Sequence, residues 1–317
     1  MLDTVDLGFE VSPTQKQLED WKKIIYIFPG PEPVVKYVYN TTARMPGNWS
    51  LNARFYPQNL ENEPHPMLLL QFSLPKVLFG NNYHLLFDFE QALSKANAQL
   101  SYASHIPTVD LNSGILHRLD YCCNYQVGER VPDYIRLMRG LNFPHRHTKP
   151  YGDEGVQFHS KVKTTKFYDK QYQCKDLKAY GLLRHETTIH HRTDIQKLLG
   201  ICNPTLYAVD IDSVQAWLEE DLEKLRLNHQ QIFNREIASE KLVSVYGPKI
   251  GDRLLGYLVR SQTHTKQEMM EKFGQSRTTI YRNERLITDA GVALVLNDNV
   301  EPLSSLKVEF SKNETKS

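Results

Sequence analysis

Three short segments place charged and hydroxyl side chains at spacings suited to phosphoryl chemistry. Ile115-Leu-His-Arg118-Leu-Asp120-Tyr sets an arginine and a carboxylate two residues apart, and Gly181-Leu-Leu-Arg184-His-Glu186-Thr repeats the arrangement. In Thr165-Lys166-Phe-Tyr168-Asp-Lys170 a tyrosine stands between two lysines. Residues two apart on a strand share a face. If the three segments are neighbouring strands, one sheet face presents Asp120 and Glu186 with the cations Arg118, Lys166, Lys170 and Arg184 and the phenol of Tyr168. Two carboxylates offer hard oxygen ligands to Mg²⁺ or Mn²⁺, which polarises a phosphate oxygen and offsets developing charge. A tyrosine with a pKa of about 10 is mostly protonated at neutral pH, and Lys166 and Lys170 are placed to favour its phenolate. The same spacings also suit ordinary strand ion pairs and a packed tyrosine, and spacing does not separate the two readings.

The elements that must carry these residues read as follows. β-rich runs bounded by Gly, Pro and Asn fall at 34–39, 50–56, 67–74, 115–125, 156–168 and 181–190. Helices are expected at 13–23, with Ser12 as N-cap, and at 88–102 and 132–139. From Val209 the period becomes helical, with a long helix through Trp217, Leu218, Leu222 and Leu225 and shorter ones to about Ala290. The fold class is therefore α+β. An antiparallel-sheet domain over 1–203 is expected to precede a smaller, mainly helical domain over 204–317, divided near Asn203-Pro204. Proline-rich segments at 29–33 and 57–66 are expected to be exposed loops, the polar tail from Ser304 to fray, and no internal repeat is visible.

Composition narrows the class. A chain of 317 residues, 40% hydrophobic and 24% charged, with 16 Gly and 16 Pro, is ordinary for a globular protein and excludes collagen-like or wholly disordered chains. No apolar run approaches the roughly 18 residues of a membrane span, and the first residues lack the basic and apolar regions of a secretory signal. Cys122, Cys123, Cys174 and Cys202 form no CxxC pair, so they read as reduced thiols in a cytoplasmic protein. The net charge of +1 hides two blocks: residues 155–192 hold eight Lys or Arg against three acids, and 205–245 hold eight acids against four bases.

Other chemistry-bearing residues take lesser roles. Tyr172 lies four positions from Tyr168, a spacing that shares a face on a strand or a helix, and it is assigned a supporting role. His145-Arg-His147 resembles a paired-histidine metal motif but sits in an expected loop, and the adjacent His190-His191 would point to opposite faces. Residues 265–287 resemble a helix-turn-helix: Met269, Met270 and Phe273 face inward, Gly274 permits the turn, Ser276 caps the second helix, and Ile280 and Leu286 anchor it. Its exposed face would carry Arg277, Thr278, Thr279, Tyr281, Arg282 and Arg285 toward DNA. A helical hairpin that only packs or dimerises is the plainer alternative.

Four segments in order resemble motifs of the gene II-type replication initiators of filamentous phages: Leu74-Pro-Lys-Val-Leu-Phe-Gly80-Asn, His117-Arg-Leu-Asp120, Thr165-Lys-Phe-Tyr168-Asp-Lys170 and Gly181-Leu-Leu-Arg184-His-Glu186. The resemblance spans roughly residues 70–190. It departs at His117, a serine in the family, and at His185, an aromatic. It implies a phage or plasmid rolling-circle initiator that nicks one strand of double-stranded origin DNA. Tyr168 would join to the 5′ phosphate, Asp120 and Glu186 would hold Mg²⁺ or Mn²⁺, and Arg118, Lys166 and Arg184 would contact DNA. Its partners would be origin DNA, the displaced single strand and the host replication machinery, with no membrane. Exchange of one phosphodiester for another keeps the bond energy, and the sequence holds no Walker-type loop. The rivals are a non-catalytic DNA-binding repressor or copy-control protein and a transposase or recombinase with the same tyrosine chemistry.

Overall fold

The computed structural model describes residues 1–28, 34–57, 66–141, 143–152, 154–227, 231–296 and 303–308. In chain order the elements are β1 (Leu2–Phe9), α1 (Gln15–Leu18), β2 (Lys22–Phe28), β3 (Val34–Met45), β4 (Trp49–Tyr56), β5 (Met67–Ser73), α2 (Leu74–Phe79) and α3 (Phe89–Gln99). Then follow β6 (Ile115–Gln126), α4 (Val131–Arg139), β7 (His147–Pro150), β8 (Gly155–His159), β9 (Lys163–Asp169), α5 (Lys170–Cys174), β10 (Leu182–Ile189) and α6 (Arg192–Leu199). The last part holds α7 (Ile211–Leu225), β11 (Gln231–Phe233), α8 (Arg235–Tyr246), α9 (Pro248–Ser261), α10 (Lys266–Phe273), α11 (Arg277–Asp289) and β12 (Val292–Leu296). The class is α+β, as the periodicity implies.

Ten strands form one antiparallel sheet in the order β2-β3-β4-β5-β1-β6-β10-β9-β8-β7. Outward from the central β1/β6 pair, the left side reads first, fifth, fourth, third, second strand of its half, and the right side reads the same. Each half is also a strand, a helix and four further strands before a helical segment, except that α5 is inserted between the third and fourth of those strands in the second half. The sequence shows no repeat, yet the topology is duplicated. Burial alternates along the strands: Leu51, Ala53 and Phe55 of β4 are buried while Ser50, Asn52, Arg54 and Tyr56 are not. The apolar face carries the main core, to which α3, α4 and α7 contribute Leu93, Tyr134, Ile135, Leu218 and Leu222. The opposite face carries the charged and amide side chains, with Val38, Met67 and Leu69 as apolar members in β3 and β5.

Several local expectations are corrected. The helix expected at 13–23 is a single turn, because Thr14 closes a capping box with Gln17 and the β-branched Ile24, Ile25 and Ile27 then pair as β2. The strand 67–74 ends at Ser73, since Pro75 and Leu74 open α2. The run 156–168 is a hairpin turned at Ser160, whose amide donates to the Lys163 carbonyl at 2.9 Å. β1, which the sequence reading omits, is central. Leu303, Leu306 and Val308 are buried in the core rather than frayed. The loops expected at 29–33 and within 58–65, and the tail from 309, lie outside the described residues.

The division of apolar packing does not follow Asn203-Pro204. α7, beyond it, packs Val214, Leu218, Leu222 and Leu225 into the sheet core, and a second cluster runs from Ala238 through Leu254, Met269, Ile280 and Ile287 to Val292. Within that cluster α10 and α11 are capped sharply. Thr265 forms a capping box with Glu268, Gly274 ends α10 at φ +62°, and Ser276 accepts the Thr279 amide. No helix among the described residues is long and apolar enough to cross a membrane.

Candidate active site on the polar sheet face

β6, β10 and β9 are neighbours, so the anticipated overlay occurs. Asp120 pairs with Thr188, Glu186 lies between Cys122 and Lys166, and Arg184 lies opposite Tyr168. Asp120, Glu186, Lys166, Tyr168 and Arg184 therefore share the polar face. The Tyr168 hydroxyl donates to Glu186 Oε2 at 2.7 Å, and Lys166 Nζ donates to Glu186 Oε1 at 3.0 Å. Arg118 grips Asp120 with Nε at 2.9 Å and Nη2 at 2.7 Å. The ring of Tyr151 lies 5.3 Å from that of Tyr168, tilted by 54° to it, and Tyr168 is only 4% exposed.

Electrostatics follow from this burial. Burial raises the Asp120 carboxyl pKa and the charge of Glu186 adds to it, against the opposing pull of Arg118. Glu186 resists the same burial because Lys166 and Arg184 surround it and Tyr168 donates to it, which holds its pKa below the usual carboxylate range. Tyr168 is pushed well above its ordinary value by burial and by Glu186. This overturns the expectation that the lysines favour its phenolate, because Lys166 directs its charge onto Glu186 instead. Burial, with help from Arg184, brings the Lys170 ammonium down to about 8.

Three assignments need correction. β9 ends at Asp169, so Lys170 opens α5 and does not share the face by alternation. It is fully buried, donates to Gln173 Oε1 at 2.8 Å, and stands 5.5 Å from the Tyr168 ring centroid. Tyr172 sits on α5, 59% exposed, rather than in register with Tyr168. Arg184 is buried completely, donating to Asn124 at 2.9 Å and Asp3 at 2.9 Å, and so cannot contact DNA from this position. Arg118 and Lys166 keep side-chain exposures of 31% and 17%. The plain ion-pair reading also has support, because Arg118–Asp120 and Lys166–Glu186 are salt bridges.

The histidines assemble differently. His159 Nδ1 and His190 Nε2 lie 2.8 and 2.7 Å from the single hydroxyl of Thr164, while His147 is exposed on β7 and His191 precedes α6. Among the described residues no group of three or more His, Cys, Asp or Glu gathers to hold a metal ion.

A buried cluster behind the site escapes the sequence reading. Asp221 of α7 accepts from Thr165 at 2.9 Å, Thr187 at 2.8 Å and Arg146 at 3.2 Å, with His185 Nε2 at 3.8 Å. Thr165 and Thr187 are on β9 and β10, beside Tyr168 and Glu186, so the cluster holds the backs of the two site strands. Burial opposes the Asp221 charge, but His185, Arg146 and Thr187 hold its carboxyl well below the usual range. The available signal was helical spacing: Leu218, Asp221, Leu222 and Leu225 form one stripe, so Asp221 falls on the packed side of an otherwise acidic run.

At the helical end, Arg277, Thr278, Thr279, Tyr281, Arg282 and Arg285 of α11 are all exposed, and Ile280 and Ile287 are buried. Met269 is buried as expected, but Met270 and Phe273 are 38% and 40% exposed; Phe273 packs instead against His264 and Arg260.

Comparison with protein-family models, with characterised proteins and with solved structures returns no match.

Proposed function

We propose that this chain initiates rolling-circle DNA replication by nicking and rejoining one strand through Tyr168. The observation that carries the reading is the Tyr168 hydroxyl donating to Glu186 on a face shared with Asp120, Lys166 and Arg118. In the proposed step the Tyr168 oxygen bonds to phosphorus as its proton is given up to water, with Glu186 Oε2 orienting the hydroxyl. The bond from phosphorus to the 3′ oxygen breaks, and that oxygen takes a proton from water. Lys170, next to the Tyr168 ring, offsets charge on the phenol oxygen. Rejoining runs the same exchange backwards.

Mg²⁺ or Mn²⁺ belongs to this proposal, with Asp120 and Glu186 as holders. The pair fits a hard cation in chemistry, because Glu186 hinders ionisation of Asp120 and a divalent ion relieves that repulsion. When bound, the ion would supply positive charge to the scissile phosphate. Arg277 and Arg282 of α11, with Thr278, Thr279 and Tyr281, are proposed to read origin DNA as the second helix of a helix-turn-helix. The displaced strand and the host replication machinery are the further partners proposed.

A second reading, a non-catalytic DNA-binding repressor or copy-control protein, is favoured by one observation: Tyr168 is buried and its carboxylate neighbours are already paired. The two are separated by incubating the protein with supercoiled DNA of its own replicon and Mg²⁺ or Mn²⁺, then identifying DNA-linked peptides by mass spectrometry. An adduct on the Tyr168 peptide supports nicking. Binding with no nick or adduct in either metal supports the repressor.

A further inference from the structure

The half of the sheet that lacks the tyrosine has its own charge signature. β2, β3, β4 and β5 contain Lys22, Lys23, Lys36, Arg44 and Arg54 and no Asp or Glu at all. The register puts one polar row across the strands, Thr42 opposite Asn52, Asn52 opposite Gln71, Gln71 opposite Asp6, and Asp6 opposite Arg118. Hydrogen bonds run along it: Thr42 to Asn52 at 2.8 Å, Asn52 to Gln71 at 3.4 Å, Gln71 to Asp6 at 2.7 Å. Its end, Arg118, is the residue that grips Asp120. The one acid in the row, Asp6, is 4% exposed and covered by Arg54, whose own side chain is 35% exposed. Lys22, paired with Asn40, and Arg44, paired with Ser50, are exposed and lie on that same face, as does Tyr26, 45% exposed and paired with Lys36.

We propose that β2–β5 form a platform for single-stranded DNA, continuous with the Tyr168 site. Which strand lies there rests on the rolling-circle reading. Exposed cations such as Lys22 and Arg44 attract a phosphate backbone, amides and hydroxyls bond to it, and an exposed aromatic stacks a base. Seven strand spacings separate β2 from β9, a span of about 34 Å.

The test uses the full chain carrying Tyr168→Phe, so that binding is separated from chemistry, and a fluorescent 15-nucleotide strand titrated by anisotropy at several salt concentrations. Adding Lys22→Glu and Arg44→Glu should weaken binding at least tenfold and make the salt slope shallower by about 1.4, since each lost phosphate contact removes about 0.7. Unchanged affinity and slope overturn the platform, as does the absence of single-strand binding. Photocrosslinking the unmutated chain to a bromodeoxyuridine-substituted strand gives a readout that requires no variant. Adducts on β2–β5 peptides, Tyr26 included, are expected, and adducts confined to 277–289 overturn the proposal. If the variant loses binding while the native protein forms no Tyr168 adduct, the nicking reading fails and the platform stands. An adduct with unaffected variant binding gives the reverse.

Discussion

The hydroxyl of Tyr168 is oriented by the Glu186 carboxylate, which makes its removal informative. Tyr168→Phe should abolish any DNA adduct while lowering stability by only about 1 kcal/mol, the worth of one hydrogen bond, as read by urea unfolding. Tyr172→Phe, altering an exposed ring on α5, should leave the adduct yield within twofold. Asp120 sets the pH dependence. Burial and Glu186 raise its pKa, so it stays protonated at mildly acidic pH where an ordinary aspartate is ionised, and the proposed cation would have to displace that proton. Mn²⁺-dependent nicking should therefore climb from about pH 5 to about pH 8, and Asp120→Asn should remove both the activity and the climb while origin binding stays within a few fold. For stability the sign is opposite, because the native state holds this proton longer than the unfolded chain, so Asp120 lowers stability as pH rises through that window. A flat nicking profile in the native protein would sink the metal assignment. The shared face of Asp120, Glu186, Lys166 and Tyr168 was legible from two-residue alternation. The burial of Arg184 was not, because alternation says which face a side chain takes but nothing of what covers it.

At the scale of elements, α7 locks the site strands from behind. Asp221→Ala leaves the Arg146 guanidinium buried with no carboxylate and should cost about 3–5 kcal/mol in denaturant unfolding. Because the native Asp221 pKa is depressed, its contribution is full at neutral pH and lost as pH falls below the usual carboxylate range. Asp221→Asn should therefore show a smaller stability loss between pH 7 and pH 3 than the native chain, by about 1 kcal/mol. For α11, Arg277→Ala with Arg282→Ala should reduce the salt slope of duplex binding by about 1.8, roughly 0.9 for each phosphate released, and leave single-strand binding unchanged. Unchanged duplex binding would return this pair of helices to a packing role. The capped ends of α10 and α11 were readable because Thr265, Gly274 and Ser276 act within a few residues of themselves. The exposure of Phe273 was not, since it depends on where α9 brings Arg260 and His264.

For the whole molecule, the β1/β6 seam joins two halves of the same strand order into one sheet. Gly8 of β1 lets the His117 ring of β6 lie across it, and a Cβ there would stand 2.4 Å from His117 Nε2. Gly8→Ala should overpack the seam and destabilise the protein by about 1–3 kcal/mol, in a single unfolding transition if the sheet unfolds as one unit. Two transitions would show that the halves unfold separately.

Strand and helix types over most of the chain, the shared face of the site residues and the caps of the last helices are local properties, set by alternation, β-branching and side-chain bonds to nearby backbone. The place of β1 at the sheet centre is not local. Its Leu-Asp-Thr-Val-Asp-Leu-Gly-Phe run looks too polar for a central strand, and Asp3 and Asp6 are tolerated there only because Arg184 and Arg54, far away in sequence, neutralise them. Asp221 and the duplicated strand order are of the same kind. Buried charge needs a partner, and strand order depends on which edges meet, so tertiary packing alone settles both.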